Sequence, residues 1–119
     1  MSLHAVDFAA LQRPDHAAVR LKEIVDIQLL YMLAESPSSG YDLNKKMLKE
    51  FGFKISFGTL YPKLAYFEKS GILTSSWQRN AADSHNPVSK RKKIYKMTEY
   101  GEAVLKQRLS ELARMFKFE

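Results

Sequence analysis

Apolar residues early in the chain recur at helical spacing and predict a helix from about Ala17 to Glu35. They fall in two stripes, which are Leu21, Val25, Leu29 and Met32 on one side and Ile24, Ile27, Tyr31 and Ala34 on another. An amphipathic surface helix has one apolar stripe, whereas two stripes indicate burial on more than one side. We therefore expect this helix to lie at the centre of the domain.

Two further helices are predicted before the pattern changes. The first runs from about Gly40 to Phe51, with Ser39 as its N-cap and Gly52 as its C-terminal stop. The second begins at residues 57–59 and runs to Ser70. Its buried stripe consists of Leu60, Leu64 and Phe67. Pro62 is compatible with this helix only near the first turn, where backbone N–H groups lack intrahelical partners.

Beyond Gly71 the pattern is that of strands. The segment Ile72–Gln78 is β-like, and Lys92–Met97 alternates basic and apolar residues. Residues 80–87 between them are rich in turn formers. We predict a β-hairpin with a long tip, in which Ile94 and Met97 are buried and the lysines project outward.

Thr98 is predicted to cap a last helix that reaches about Phe116. Its apolar residues follow the spacing i, i+4, i+7 and i+11, which is typical of helices that pair with other helices. They are Leu105, Leu109, Leu112 and Phe116. The stripe is also compatible with packing on the chain's own core. Because the helix is longer than a small core can cover, we predict that it pairs two copies of the chain.

The predicted order is three helices, a hairpin and a helix, which is the order of a winged helix-turn-helix. The fold class is therefore mainly α with a small β-hairpin, followed by a C-terminal dimerisation helix. We divide the chain into an N-terminal arm or short helix (1–16), a winged helix-turn-helix domain (17–97) and the dimerisation helix (98–119). In such domains the second helix of the turn motif enters the DNA major groove.

The net positive charge is compatible with a polyanionic partner, although many soluble proteins are basic without one, so the position of the charge matters more. The 119 residues carry a formal net charge of +6 and no cysteine. Five basic residues and no acidic one lie between Lys90 and Lys96, so the basic charge is concentrated in one short segment that overlaps the second predicted strand. The lack of cysteine excludes a disulfide, a thiol nucleophile and a thiolate metal site. We expect no membrane span and no signal peptide, and predict a cytoplasmic protein.

Two other classes of function compete with DNA binding. For an enzyme, His85 follows Asp83 and Ser84, but neighbours in sequence do not make a converging triad. The three histidines lack paired ligand spacing, so we predict no metal site, no catalytic residue and no cofactor. The second alternative is a winged helix that docks another protein without specific DNA binding.

The predicted DNA contacts lie on the third helix and on the hairpin, or wing. On the helix, Thr59, Lys63 and Tyr66 face away from the buried stripe, with Tyr61 at the boundary, and their polar groups suit phosphates and base edges. On the wing, the candidates are Lys90, Arg91, Lys92 and Lys93. About four phosphate contacts would give a log–log salt slope of roughly −3 to −4. A solvated helix face and a lysine-protected edge strand are the alternatives.

The segments Ser39-Gly40-Tyr41-Asp42-Leu43 and Gly58-Thr59-Leu60-Tyr61-Pro62 make the chain resemble the PadR-like transcriptional regulators. The resemblance covers about residues 24–112 and includes Thr98-Glu99-Tyr100-Gly101. It implies a homodimeric winged-helix repressor that leaves its double-stranded DNA operator, an inverted repeat, when a small aromatic or cationic effector binds. It also implies that Thr59, Tyr61 and Lys63 lie at the DNA surface, and Ser39 and Tyr41 of the first segment are predicted there as well.

Two features depart from the family pattern. Members carry a Gly-Arg-Pro-Arg-Lys-like wing, where this chain has a longer and more basic segment at residues 86–93. Some members stack drugs on a tryptophan of the dimerising helix, whereas the only tryptophan here, Trp77, falls in the first wing strand. Near the expected dimer seam, the aromatic or flexible residues that suggest an effector site are Tyr31, Tyr100, Met115 and Phe116, although ordinary core packing is the favoured interpretation for each.

Overall fold

The computed structural model describes residues 24–79 and 91–116. Their elements are, in order, α1 (Ile24–Glu35), β1 (Ser38–Ser39), α2 (Gly40–Phe51), α3 (Phe57–Lys69), β2 (Leu73–Arg79), β3 (Arg91–Met97) and α4 (Glu99–Phe116). The predicted fold class, mainly α with a winged helix, is confirmed. The predicted N-terminal arm, the first residues of the first predicted helix and Lys90 lie outside the described residues.

The helix α1 lies at the centre of the core, as its two apolar stripes predict. Its buried apolar residues are Ile27, Leu29, Leu30, Met32 and Leu33. They pack in one cluster with Leu43 and Met47 of α2, Leu60, Leu64 and Phe67 of α3, and Leu105 of α4. Ile24 departs from the prediction, since its side chain at the start of α1 is largely exposed.

The bounds of α2 coincide with those predicted, because its end signals act locally. The Ser39 side chain accepts a hydrogen bond of 3.1 Å from the Asp42 backbone N–H, which satisfies one of the donors that a helix start leaves open. Gly52 ends the helix with φ of 79°, a left-handed conformation that glycine adopts without steric cost.

The sheet has three antiparallel strands in the order β1-β3-β2, with Ser38 opposite Tyr95 and Leu73 opposite Met97. The hairpin of β2 and β3 was predicted, but β1 was not, because a strand of two residues has no periodicity. The expected burial of Ile94 together with Met97 is wrong. Alternate residues of a strand face the same side, and the side facing the core carries Tyr95 and Met97, while Ile94 is half-buried on the other side.

The helix α3 starts at Phe57, within the range predicted, and continues through Pro62 to Lys69. Pro62 is the sixth residue of the helix, so it lies beyond the first turn. Its ring nitrogen carries no hydrogen, and the Gly58 carbonyl one turn earlier therefore lacks its usual donor. Gly58 and Pro62 are both exposed, which leaves that carbonyl accessible to water.

The helix α4 begins at the predicted cap and packs closely on the sheet. The Thr98 hydroxyl accepts from the Gly101 N–H at 2.9 Å. A Cβ added at Gly101 would lie 2.2 Å from the Ile72 carbonyl oxygen, so the close approach of α4 to this carbonyl requires glycine. Within residues 24–79 and 91–116, no helix is long and apolar enough to cross a bilayer.

Candidate nucleic-acid interface

The N-terminal part of α3 forms an exposed surface that we call the α3 head (Phe57–Pro62). Ser56 caps the helix, its hydroxyl oxygen accepting from the Thr59 N–H at 3.2 Å. The Ser56 hydroxyl also lies 3.1 Å from the Thr59 Oγ1. Open N–H groups and the helix dipole make a helix N-terminus favourable for anions such as phosphate. Thr59 is exposed, as predicted.

Three exposed rings form a cluster at the α3 head, two from α3 itself and one from α2. The Phe57 ring centroid lies 6.4 Å from that of Tyr41 and 5.6 Å from that of Tyr61. The Lys45 ammonium lies 4.9 Å from the Tyr41 ring centroid. Tyr61 lies against the start of α2, since a Cβ at Gly40 would be 2.7 Å from the Tyr61 ring. The exposure of Tyr41 and Tyr61 agrees with the prediction.

Phe57 belongs to this cluster but was absent from the predicted site. The signal was present in the sequence, because Phe57 precedes Tyr61 by one helical turn and is not on the stripe of Leu60 and Leu64. Residues four apart on a helix share a face. A search for charged and hydrogen-bonding side chains does not single out Phe57, because a phenylalanine carries no group that suits a phosphate.

Lys63 does not project from the α3 head as predicted. Its ammonium lies 2.9 Å from the Asp26 carboxylate of α1, and the two side chains are only 19% and 11% exposed. Periodicity places Lys63 off the core stripe but does not reveal the buried carboxylate beside it. Lys63 therefore joins α3 to α1 instead of facing outward, and its contact with DNA stays a prediction.

The connection between α2 and α3 is held by one amide that sequence analysis missed. The Asn44 side chain donates to the Ile55 carbonyl at 2.7 Å and accepts from the Ile55 N–H at 3.0 Å. Asn44 is buried on α2. Because one side chain satisfies both backbone groups of Ile55, the segment before the α3 head is fixed relative to α2.

Lys93 is held between α3 and the two wing strands by a set of contacts that we call the wing anchor (Glu68, Ser75, Trp77, Lys93 and Tyr95). The Lys93 ammonium lies 3.2 Å from a Glu68 carboxylate oxygen. It also lies 5.8 Å from the Trp77 ring centroid and 5.4 Å from that of Tyr95. The Ser75 hydroxyl donates to the other Glu68 oxygen. Lys93 is thus half-buried and engaged within the chain, which corrects its predicted role as an outward cation.

The electrostatics of the wing anchor favour its charged forms. The hydrogen bond from Ser75 lowers the pKa of Glu68, and Lys93 lowers it further against the opposing effect of burial. The hydrogen bond to Glu68 raises the pKa of Lys93. Burial raises the pKa of the Tyr95 phenol. The ammonium and the carboxylate therefore stabilise each other's charge.

Arg91 and Lys92 remain as cations at the outer end of β3. Both are exposed. The Lys92 ammonium lies 3.8 Å from the Asp42 carboxylate in the first turn of α2, and both side chains are more than 40% exposed. An exposed pair at this distance is weak and can exchange for a phosphate. Lys92 therefore lies beside the first turn of α2, which also carries Tyr41 of the ring cluster.

Of two further residues predicted to contact DNA, Ser39 is buried and Tyr66 is exposed. Ser39 is buried, pairs with Ile94 in the sheet and caps α2, so the structure removes it from the accessible surface. Tyr66 is exposed one turn beyond Pro62, with its ring centroid 5.7 Å from that of Phe67. It extends the exposed surface of α3 towards the C-terminus of the helix.

The predicted dimerisation stripe divides into a buried and an exposed part. Leu105 is fully buried within its own subunit, which corrects its role to that of a core residue. Leu109 and Leu112 are partly buried against the same core. Phe116 is 60% exposed and its neighbour Met115 is 65% exposed. Apolar surface available to a second copy is therefore concentrated in the last turn of α4.

The residues suggested for an effector site differ in their exposure to solvent. Tyr31 and Tyr100 are half-buried and pack on the core, whereas Met115 and Phe116 are exposed. In the described part of the chain, no group of three or more histidine or acidic side chains is arranged to hold a metal ion.

The chain matches one known protein family and is similar in fold to several solved structures. The model of the transcriptional regulator PadR-like family matches residues 29–107. No curated protein matches the chain significantly. Among solved structures, a PadR-like transcription factor from Bacteroides fragilis is 23% identical, with 79% of this chain and 84% of that chain covered and a TM-score of 0.68.

Two other solved structures are similar to this chain. A PadR family transcriptional regulator from Eggerthella lenta is 29% identical over 78% of this chain and 75% of that chain, with a TM-score of 0.65. PadR from Bacillus subtilis, solved in complex with operator DNA, is 22% identical over 73% of this chain and 47% of that chain, with a TM-score of 0.63. The match thus spans about half the length of the Bacillus protein.

Proposed function

This chain belongs to the PadR-like family of transcriptional regulators, and from that membership we propose that it is a homodimeric repressor of transcription. It binds an inverted-repeat operator in double-stranded DNA. In each subunit α3 enters the major groove, and the wing lies beside it on the phosphate backbone. Family membership favours this function over the enzyme alternative.

One observation carries the proposal. The α3 head is exposed, and the neighbouring start of α2 carries two cations, Lys45 over the Tyr41 ring and Lys92 of β3 paired with Asp42; Arg91 is exposed next to Lys92 on β3. A helix of this size fits the major groove, and its N-terminal residues contact bases in helix-turn-helix proteins. Cations beside the helix would neutralise phosphates and release counterions. The Bacillus subtilis PadR, which has a similar fold, was solved in complex with operator DNA, which supports DNA as the partner.

The exposed end of α4 supports the dimer. Met115 and Phe116 present apolar side chains in the last helical turn, next to the partly buried Leu109 and Leu112. Burial of this surface against a second copy would be favourable by roughly 25 cal/mol per Å² of apolar area before the costs of association. Light scattering tests the dimer, and a monomeric mass at micromolar concentration would contradict it.

Selection of bound fragments from genomic DNA at two salt concentrations tests the whole proposal. We expect one enriched inverted repeat with half-sites about one helical turn apart and affinity that falls steeply with salt. Charge reversal of Arg91 and Lys92 should abolish retardation of that fragment. A winged helix that only docks proteins would enrich no sequence, and the charge reversal would then change nothing in this assay.

The effector implied by the family resemblance remains a prediction. Met115 and Phe116 are the exposed members of the set suggested for it. Thermal melting of the dimer with phenolic acids and with cationic aromatic compounds tests this prediction. A melting temperature that none of these compounds changes would argue against an effector of either class.

A further inference from the structure

The helix α3 lacks the side chains that most often identify bases. Between Phe57 and Lys69 there is no arginine, asparagine or glutamine. Arginine makes bidentate hydrogen bonds to guanine, and asparagine and glutamine make them to adenine. Lysine also binds guanine, but Lys63 is engaged with Asp26 and Lys69 lies in the last turn. Bidentate base contacts therefore have no donor on the α3 head.

The α3 head instead presents an apolar surface. Phe57, the first residue of the helix, is 45% exposed, and its ring lies near those of Tyr41 and Tyr61. Pro62 and Ala65 are also exposed on the outer surface of the helix. Contiguous exposed apolar side chains on one face are a feature of surfaces that bind a partner.

The major groove offers one apolar group, the C5-methyl of thymine, and small apolar side chains and phenylalanine pack against it. We propose that this regulator recognises its operator through thymine methyl groups, with the Phe57 ring as the principal contact. The inference rests on the proposed function, in which α3 enters the major groove. It adds that specificity comes from apolar contact and not from bidentate hydrogen bonds.

Replacement of single thymines by deoxyuridine in the selected operator tests the proposal, because this change removes only the methyl group. Binding is measured by fluorescence anisotropy at a salt concentration where every variant binds. At one or two positions in each half-site, we expect deoxyuridine to weaken binding about fourfold, which corresponds to the ~0.8 kcal/mol for burial of one CH₂ group. The Phe57→Ala protein should bind the thymine and deoxyuridine operators equally at those positions.

Two variants serve as controls. Phe57→Leu keeps an apolar side chain and should retain part of the preference for thymine, so it tests the contact even if Phe57→Ala folds poorly. Phe53→Ala removes another exposed phenylalanine, in the connection before α3, and should leave the preference for thymine unchanged. Thermal melting of each protein separates loss of the contact from loss of the fold.

The outcomes separate the inference from the function. If the protein binds an enriched operator but tolerates deoxyuridine at every position, the thymine proposal is wrong and the regulator function stands. If the preference for thymine survives in Phe57→Ala, another residue makes the contact and the assignment of Phe57 is wrong. If no sequence is enriched from genomic DNA, the proposed function fails and the inference fails with it.

Discussion

The helix α3 and the wing strand β3 are both proposed to contact the operator, but they present different chemistry to it. The α3 head exposes rings and a hydroxyl, whereas the outer end of β3 exposes the cations Arg91 and Lys92. In both elements the lysine closer to the core is engaged by a carboxylate of another element, Lys63 by Asp26 and Lys93 by Glu68. We infer that the two elements have different roles: α3 provides specificity, and the outer end of β3 provides salt-dependent affinity. Lys63 and Lys93 fix the positions of α3 and β3.

The two inner ion pairs differ in their exposure to solvent. Lys63 and Asp26 are 19% and 11% exposed, and Lys93 and Glu68 are each 33% exposed. Removal of one partner from a buried pair leaves an uncompensated charge and costs more than removal of a partner from a solvated pair. We therefore expect stability to depend on the α3 pair more than on the wing pair.

The largest effect is expected for Asp26→Ala. The variant leaves the Lys63 ammonium in a partly buried position without its carboxylate, and we expect the free energy of unfolding to fall by about 1–3 kcal/mol. Urea unfolding at a fixed protein concentration measures it, because the stability of a dimer depends on concentration. Asp42→Ala is the matched control, since its pair with Lys92 is exposed and should contribute less than about 1 kcal/mol. Equal losses in the two variants would contradict the ranking.

The next largest effect is expected from the two cations at the outer end of β3, which should determine the salt dependence of DNA binding. The double variant Arg91→Gln/Lys92→Gln removes two proposed phosphate contacts, so the magnitude of the log–log salt slope should fall by about 2. Affinity at low salt should fall on the order of tenfold. Lys49→Gln/Lys106→Gln removes the same charge from α2 and α4 and should leave the slope nearly unchanged. If both double variants lower the slope equally, net charge and not position determines the salt dependence.

Lys93→Met is expected to reduce DNA affinity by a smaller amount and to leave the salt dependence unchanged. Because this ammonium is engaged by Glu68 and lies near two rings, its loss should displace the wing without removing a phosphate contact. We expect affinity to fall by roughly threefold to tenfold, with the salt slope unchanged. Glu68→Gln should have a similar effect, and the two changes combined should cost less than their sum because they remove one interaction. A slope that falls by about 1 would show instead that Lys93 contacts a phosphate.

Local signals in the sequence were sufficient to predict most of the fold. The ends of α2 depend on Ser39 and Gly52, and the start of α4 depends on Thr98, and in each case a few neighbouring residues determine the conformation. The burial of Leu60 and Leu64 follows from helical periodicity and a single core. Such features need no knowledge of which distant residue lies nearby.

The candidate site was harder to predict because its chemistry depends on contacts between elements. Lys63 and Asp26 are 37 residues apart in the chain, and nothing in their local sequence indicates that they pair. Alternate side chains of a strand face opposite sides. Because Ile94 was predicted on the buried side of β3, its neighbour Lys93 was wrongly predicted to face solvent. The fold was therefore predictable from patterns within segments, whereas the roles of the lysines required the packing of one segment on another.

The smallest expected effect is the pH dependence of the wing anchor. The pKa of Glu68 is lowered in the folded chain, so the stabilisation from its charged form is present above about pH 4.5 and is lost as the pH falls through the lower folded value. The contribution should stay below about 1 kcal/mol because the pair is a third exposed. Trp77, the only tryptophan, lies near the Lys93 ammonium, so its fluorescence should report the loss of the pair.

We expect the emission of Trp77 to change between pH 6 and pH 3 in the wild type and to stay flat in Glu68→Gln over the same range, under conditions where far-ultraviolet circular dichroism shows both proteins folded. Glu111→Gln is the control. The hydrogen bond from Arg108 lowers the pKa of Glu111 on α4, so this carboxylate titrates in a similar range, yet its removal should leave the change at Trp77 intact. If Glu68→Gln shows the same change as the wild type, the tryptophan is responding to general loosening at low pH. The fluorescence would then give no evidence that Glu68 fixes the position of the wing as Asp26 fixes that of α3.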